Sequence, residues 1–202
     1  MIAGLVLAAG ESSRMGTDKA RLGYSDRTFL ETILNTLAEA EIERVAVVLG
    51  HHAEEIRQSV SLRSAEVVIN PDYRLGQTSS LQMGLKALES PELEAIVLCL
   101  VDHPAVSAPT LRQLVDTFGE ARPPVVIPTH QGQHGHPVII ARRLFEELKS
   151  LGPAVGANTV VRRYQEATRF VEVNDAGILL DIDDPESYQR LLVGKKGKRV
   201  KG

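Results

Sequence analysis

The run at residues 96–101, Ile-Val-Leu-Cys-Leu-Val, is the most apolar stretch of the chain. It has strand length and no polar alternation, so it reads as a central strand buried on both faces. Two-sided burial requires helices above and below the sheet. The rest of the chain agrees. Apolar runs at 2–7, 45–49, 67–69 and 125–127 alternate with helical spacing at 28–40, 54–60, 81–88 and 107–118. Thr28-Phe-Leu-Glu31 has the form of a capping box. Ser107-Ala-Pro109 opens a helix with proline in its first turn. Thr78 or Ser79 is expected to cap the 81–88 helix. Beyond 129 the pattern predicts strands at 137–140, 170–173 and 178–182. It predicts helices near 143–148, 157–165 and 185–192. The expectation is a three-layer α/β fold with a mostly parallel sheet. One domain is expected over 1–193, with about 129–180 facing an acceptor. The basic tail 194–202 is expected to be disordered.

The totals exclude several function classes. A length of 202 residues suits one α/β core. Aromatic residues make up 4% and Trp is absent, so stacking platforms for single-stranded nucleic acid are not expected. The net charge of −3 gives no global attraction to nucleic acid or to a membrane surface. The single cysteine, Cys99, rules out an intrachain disulfide and reads as a packing residue. No apolar run approaches the ~20 residues of a membrane span. The N-terminus has no basic region followed by a long apolar stretch, so a secretory leader is not expected. A cytoplasmic location follows as an expectation.

Four stretches carry candidate chemistry. After the first strand, Leu7-Ala8-Ala9-Gly10-Glu11-Ser12-Ser13-Arg14 turns small and polar and leads to Lys19. Successive N–H groups of such a loop can cradle an anion, with the two cations adding charge. A plain strand-to-helix turn is the alternative. The loop lacks both Gly-x-Gly-x-x-Gly and Gly-Lys-Ser/Thr, so it is neither a dinucleotide fingerprint nor a Walker loop. Asp102 follows the central strand, at the sheet edge where α/β proteins bind ligands. A carboxylate there suits Mg²⁺; a turn-capping aspartate is the alternative. Asp181, Asp183 and Asp184 follow another apolar run, and one of them is a candidate to complete a metal site. Asp184 reads as a helix cap. Gly76-Gln-Thr78-Ser79-Ser80 is a candidate for base or ribose contacts. His130, His134 and His136 offer metal-ligand spacing without a supporting carboxylate, so zinc is not expected. His136-Pro137 reads as shaping a substrate-side loop. His51 and His52 stay unassigned.

These stretches together resemble the nucleotidyltransferases related to molybdenum cofactor cytidylyltransferase and molybdenum cofactor guanylyltransferase. The resemblance rests on Leu7-Ala-Ala-Gly-x-Ser-x-Arg-Met-Gly-x-x-Lys19, Leu75-Gly-x-x-Ser-Ser-Leu81, Asp102-His-Pro104, Gly135-His-Pro-Val138 and Asp181-Ile-Asp-Asp-Pro-Glu-Ser-Tyr188. It implies a Rossmann-like nucleotide-diphosphate-transferase fold, glycosyltransferase-A-like, and an Mg²⁺-dependent transfer of CMP from CTP to the phosphate of molybdopterin cofactor. Pyrophosphate would leave. The backbone of 9–13 would hold the phosphates, Arg14 the departing end and Lys19 the α-phosphate. Asp102 and Asp181 would bind the metal. His103, His136 and Pro137 would lie on the acceptor side. CTP is preferred over GTP, and a molybdenum hydroxylase is a candidate partner. A different phosphorylated acceptor, such as a sugar phosphate, and a non-catalytic nucleotide or cofactor-delivery module are the alternatives. The run Gly152-Pro-Ala-Val-Gly-Ala-Asn158 departs from the Gly-Asp-x-Gly-Ala-Arg common in relatives, which bears on the acceptor.

Overall fold

A computed structural model describes residues 1–152 and 154–196. Its centre is strand β6 (Ala95–Leu100), which pairs parallel with β1 (Ile2–Ala8). β1 pairs parallel with β4 (Val45–Leu49), and β4 with β5 (Glu66–Ile69). On its other side β6 pairs antiparallel with β9 (Val138–Ala141). β9 pairs antiparallel with β7 (Val125–His130), which pairs parallel with β10 (Arg169–Glu172). A short strand β8 (Gln133–His134) folds back on β7. The order is β10-β7-β9-β6-β1-β4-β5. The chain moves outward from β1 to β4 and β5, then returns past β1 to β6. The crevice beyond the carboxyl ends of β1 and β6 is therefore a topological switch point, where open α/β sheets bind ligands.

Strand residues alternate between the two faces. Val6 and Ala8 of β1, with Val97 and Cys99 of β6, share a core with α1 (Phe29–Glu39), α2 (Ala53–Ser59) and α4 (Ala108–Ala121). Leu5, Leu7, Ile96 and Leu98 pack on the other side with α3 (Gln77–Ala87), α5 (Phe145–Lys149) and α6 (Asn158–Arg163). Burial pushes the Cys99 thiol up to about 12, so it packs as an apolar group. The capping box forms: Thr28 Oγ1 accepts from the Glu31 amide at 3.2 Å, and Glu31 Oε2 accepts from the Thr28 amide at 2.8 Å. No helix among the described residues is long and apolar enough to cross a membrane.

Several elements differ from expectation. The expected strand at 178–182 is a 3₁₀ turn, Ala176–Leu179. Asp175 Oδ1 accepts from the Gly177 amide at 2.9 Å, and Oδ2 accepts from the Ser107 amide at 2.9 Å and the Thr110 hydroxyl at 2.7 Å. These bonds curl the chain before a strand can pair, and Ile178 buries in the core as part of the turn. Helix α3 begins at Gln77 with Gly76 as its cap, so Thr78 and Ser79 lie in the first turn and neither is the cap. A small hairpin, β2 (Gly23–Tyr24) and β3 (Arg27–Thr28), was not foreseen. Its turn residue Ser25 takes φ 63°. The last helix, α7 (Pro185–Lys196), runs three residues into the expected tail. Residues 197–202 of that tail lie outside the described residues. Helix α7 returns to the hairpin, where the Tyr188 hydroxyl donates to the Gly23 carbonyl at 2.8 Å and its ring meets Phe29 edge-on.

Asp175 gives a pH-dependent test of this architecture. Burial pushes its carboxyl up, but the Ser107, Thr110 and Gly177 donors outweigh burial and hold it below the usual range. A depressed folded pKa contributes stability above the unfolded pKa, lost as pH falls through the folded value. Asp175→Ala should cost about 1.5–3 kcal/mol at neutral pH. Urea unfolding should show that difference shrinking in acid, below the ordinary aspartate range.

Candidate active site

The chain leaves β1 at Ala9 and folds residues 10–17 into a loop over the switch point. Ser12 and Gly16 take φ 50° and 66°. Left-handed residues of this kind curl a loop back on itself. Ser12 Oγ accepts from the Lys19 amide at 3.1 Å, and the Met15 amide donates to the Ser12 carbonyl at 2.9 Å. Gly50, at the end of β4, lets the neighbouring loop approach: a Cβ there would stand 2.7 Å from the Ala9 carbonyl oxygen. The His51 amide donates to that same carbonyl at 3.1 Å. The amides of residues 10–14 find no protein acceptor among the described residues. Open amides on a tight loop form an anion-binding concavity.

That loop walls a cleft of about 290 Å³, to which Leu7, Ala8, Ala9, Gly10, Ser12, Ser13, Arg14 and Lys19 all contribute. The opposite wall holds Asp102, Asp183, Gly76 and Ser80. Across it runs a charged knot. Lys19, only 9% exposed, donates from Nζ to Asp102 Oδ2 at 3.2 Å and to Asp183 Oδ1. Arg14 donates to Asp183 Oδ2 at 2.9 Å. The Lys19 hydrogen bond holds the Asp183 carboxyl below the usual range. A buried ammonium needs such partners, since desolvating it alone is costly. Asp102 Oδ1 is buried and has no hydrogen-bond partner among the described residues; His103 Nε2 is 3.9 Å away. Ligand atoms of Asp102, His103 and Asp181 lie within 4.8 Å of one another. Burial, then the charges of Asp102 and Asp183, pushes the Asp181 carboxyl up.

Other expected residues lie elsewhere. Glu11 points away from the cleft and pairs with Arg74 at 2.9 Å. The Thr78 hydroxyl donates to the Val155 carbonyl at 2.7 Å. Ser79 donates to the Gly76 and Asp72 carbonyls and accepts from the buried Asn70. These two hydroxyls are spent inside the protein, whereas Ser80 reaches the cleft. His103, His136 and Pro137 line a separate apolar cavity of about 20 Å³, with the two imidazoles 5.0 Å apart. Burial, helped by His103, lowers His136 to about 4 and keeps it neutral. His130 bonds the Val173 carbonyl and His134 stacks on Phe170, so the histidine-rich loop does not converge on one point. Asp184 Oδ1 accepts from the Ser187 amide at 2.7 Å, capping α7 as expected.

Sequence reasoning left Asp183 among three alternatives, named Gln77 only as part of the Gly76–Ser80 stretch, and missed Asp18 and Tyr73; all four line the cleft. For Asp183 a signal existed. Asp181 and Asp183 are two apart, the spacing that puts side chains on one side of an extended segment. Tyr73 carries no such signal; its segment is set by the Asn70 side chain, whose Oδ1 accepts from the Asp72 amide.

Residues 4–168 match the MobA-like NTP transferase domain family. The chain belongs to that family. It is 28% identical to nicotine blue oxidoreductase of Paenarthrobacter nicotinovorans, over 95% of this chain and 96% of that one. It is 26% identical to molybdenum cofactor cytidylyltransferase of Escherichia coli K12, over 91% and 92%. The crystal structure of Rv0371c from Mycobacterium tuberculosis H37Rv superposes with a TM-score of 0.84 at 32% identity, covering 95% of this chain and 97% of that one. A complex of Rv0371c with manganese superposes with a TM-score of 0.79 at 31% identity, over 95% and 98%.

The Asn70 node tests how the second wall is held. Asn70 is 1% exposed; its Nδ2 donates to Ser79 and Ser80, each at 2.9 Å, and its Oδ1 accepts from the Asp72 amide. Asn70→Ala should cost about 1–3 kcal/mol in urea unfolding. It should also raise amide exchange at residues 72–76, the segment that brings Tyr73 and Gly76 to the cleft.

Proposed function

We propose that the chain transfers CMP from CTP to the phosphate of a molybdopterin-type cofactor and releases pyrophosphate. The observation that carries this reading is the Lys19–Asp102–Asp183 knot facing open amides at the switch point of the sheet. The family match supports nucleotidyl transfer, and the named activity of the Escherichia coli relative supports this nucleotide and acceptor.

In this reading a phosphate oxygen of the acceptor attacks the α-phosphorus. A new P–O bond forms as the bond to the bridging oxygen of pyrophosphate breaks. The nucleophile already carries negative charge, so no strong base is needed. The protein's tasks are alignment and charge neutralisation. The amides of 10–14 and Arg14 bind the departing phosphates. Lys19, held between Asp102 and Asp183, presents its ammonium at the α-phosphate. Ser80 and the backbone of Gly76 face the nucleoside end.

A divalent ion fits the same residues. Asp102 holds Lys19 with Oδ2 and leaves the buried Oδ1 free for a second cation, with Asp181 near it. Two carboxylates are a donor set that Mg²⁺ takes together with phosphate oxygens. When bound, Mg²⁺ supplies charge neutralisation at the reacting phosphate. The manganese complex of the mycobacterial relative supports a divalent ion in this family.

The test is pyrophosphate release from CTP, GTP, ATP and UTP, with and without molybdopterin cofactor and Mg²⁺. The expected result is release from CTP only when acceptor and metal are both present. Release from GTP alone would reassign the base. Release with a sugar phosphate instead would reassign the acceptor. Binding of nucleotide without turnover would leave a delivery module. Redox turnover of nicotine blue would move the chain toward the activity named for the Paenarthrobacter relative. Asp102→Ala should lower turnover per folded chain roughly 10²–10³-fold, and it should also lower the melting temperature because Lys19 loses one of its two carboxylates. Unaltered turnover would remove Asp102 from the mechanism.

A further inference from the structure

On the β4 side of the phosphate loop stands a second polar cluster that the proposed reaction leaves unused. Asp18 is 5% exposed, buried beneath the turn that begins at Lys19. His51 and His52 follow β4, and His52 holds φ 49° at the start of α2. Both imidazoles turn Nδ1 toward the one carboxylate: His52 Nδ1 lies 3.1 Å from Asp18 Oδ2 and His51 Nδ1 lies 3.6 Å from Asp18 Oδ1. The first distance suits a hydrogen bond; the second does not. Asp18 Oδ1 and His51 Nδ1 are both buried without a partner among the described residues. Two facing buried atoms, one anionic, that neither bond each other nor anything else mark a site shaped for something between them.

We propose that Asp18, His51 and His52 bind a divalent transition-metal ion of the zinc class, at a site distinct from Asp102 and Asp181. Ligand atoms of the three residues fall within 4.8 Å of one another. Separations of 3.1 and 3.6 Å are those spanned, at roughly tetrahedral angles, by donors each ~2.0–2.1 Å from one ion. Two imidazoles and one carboxylate are the three-ligand set of an open zinc site. Imidazole nitrogen selects for zinc-like ions, whereas Mg²⁺ prefers oxygen donors. The surrounding charges are compatible. The Arg21 guanidinium is 4.0 Å from Asp18 Oδ2 and its side chain is 43% exposed, free to turn to solvent. Glu11 adds a negative charge near His51. Such an ion would tie the phosphate loop to the loop after β4, since Asp18 also borders the cleft.

The experiment is zinc binding by tag-free protein without nucleotide, read as ions per chain by equilibrium dialysis with metal analysis. An Asp102→Ala, Asp181→Ala background removes the other candidate site and should still bind one zinc. Adding His51→Gln and His52→Gln should weaken that binding by more than roughly 10²-fold, since loss of an outer-shell partner already costs 10–100-fold. Should the background variant fold poorly, the wild type is compared with the His51→Gln, His52→Gln chain, which should bind one zinc fewer. Zinc binding that is absent from both backgrounds, or unchanged by the histidine substitutions, would overturn the proposal.

Discussion

A buried lysine ammonium sets the terms for the rest of this structure. Lys19 sits 9% exposed at the end of the phosphate loop, where an unpaired charge would be costly. Asp102 and Asp183 offset that cost, and they come from opposite parts of the chain. Asp102 is delivered by the central strand β6. Asp183 is delivered by the segment between the Ala176–Leu179 turn and α7. The ion pairs therefore close the late segment over the switch point of the sheet. Ile182 and Leu191 bury with Phe29 and Leu22 behind it, so the closure has an apolar backing. Without Lys19 two carboxylates would face each other across a half-buried gap.

The same knot suits the cleft to the metal–nucleotide pair that the proposed reaction requires. Each carboxylate is already engaged by Lys19 or Arg14, and the loop amides lack internal acceptors. A triphosphate supplies acceptors for those amides. A divalent ion supplies a partner for the orphaned Asp102 oxygen. The site thus reads as one half of an ionic assembly whose other half is a metal–nucleotide pair.

Much of this was legible in the sequence because it rests on local rules. The unbroken apolar run before Asp102 announced a two-sided core strand, and Thr28-Phe-Leu-Glu31 announced its helix cap. The composition of the loop after β1 marked it as a candidate anion site, and the structure brings Arg14 and Lys19 of that stretch into one cleft. The illegible parts rest on long-range contacts. Two distant donors, from Ser107 and Thr110, and the nearby Gly177 amide converge on Asp175, and the apolar strand-like run becomes a 3₁₀ turn. Asn70 donates to both Ser79 and Ser80, but Ser79 also donates to the Asp72 and Gly76 carbonyls while Ser80 lines the cleft, though both are serines of one motif. Neighbouring His51 and His52 carried no readable role until Asp18 stood between them.

Attack at the α-phosphorus, with Lys19 beside it, is the step on which the proposed reaction turns. The direct measurement follows the phosphorus atoms of CTP labelled in turn at the α and γ positions. Product separation after incubation with molybdopterin cofactor and Mg²⁺ should place the α label in the pterin product and the γ label in pyrophosphate. Appearance of the γ label on the acceptor, or of the α label only in free CMP, would contradict it.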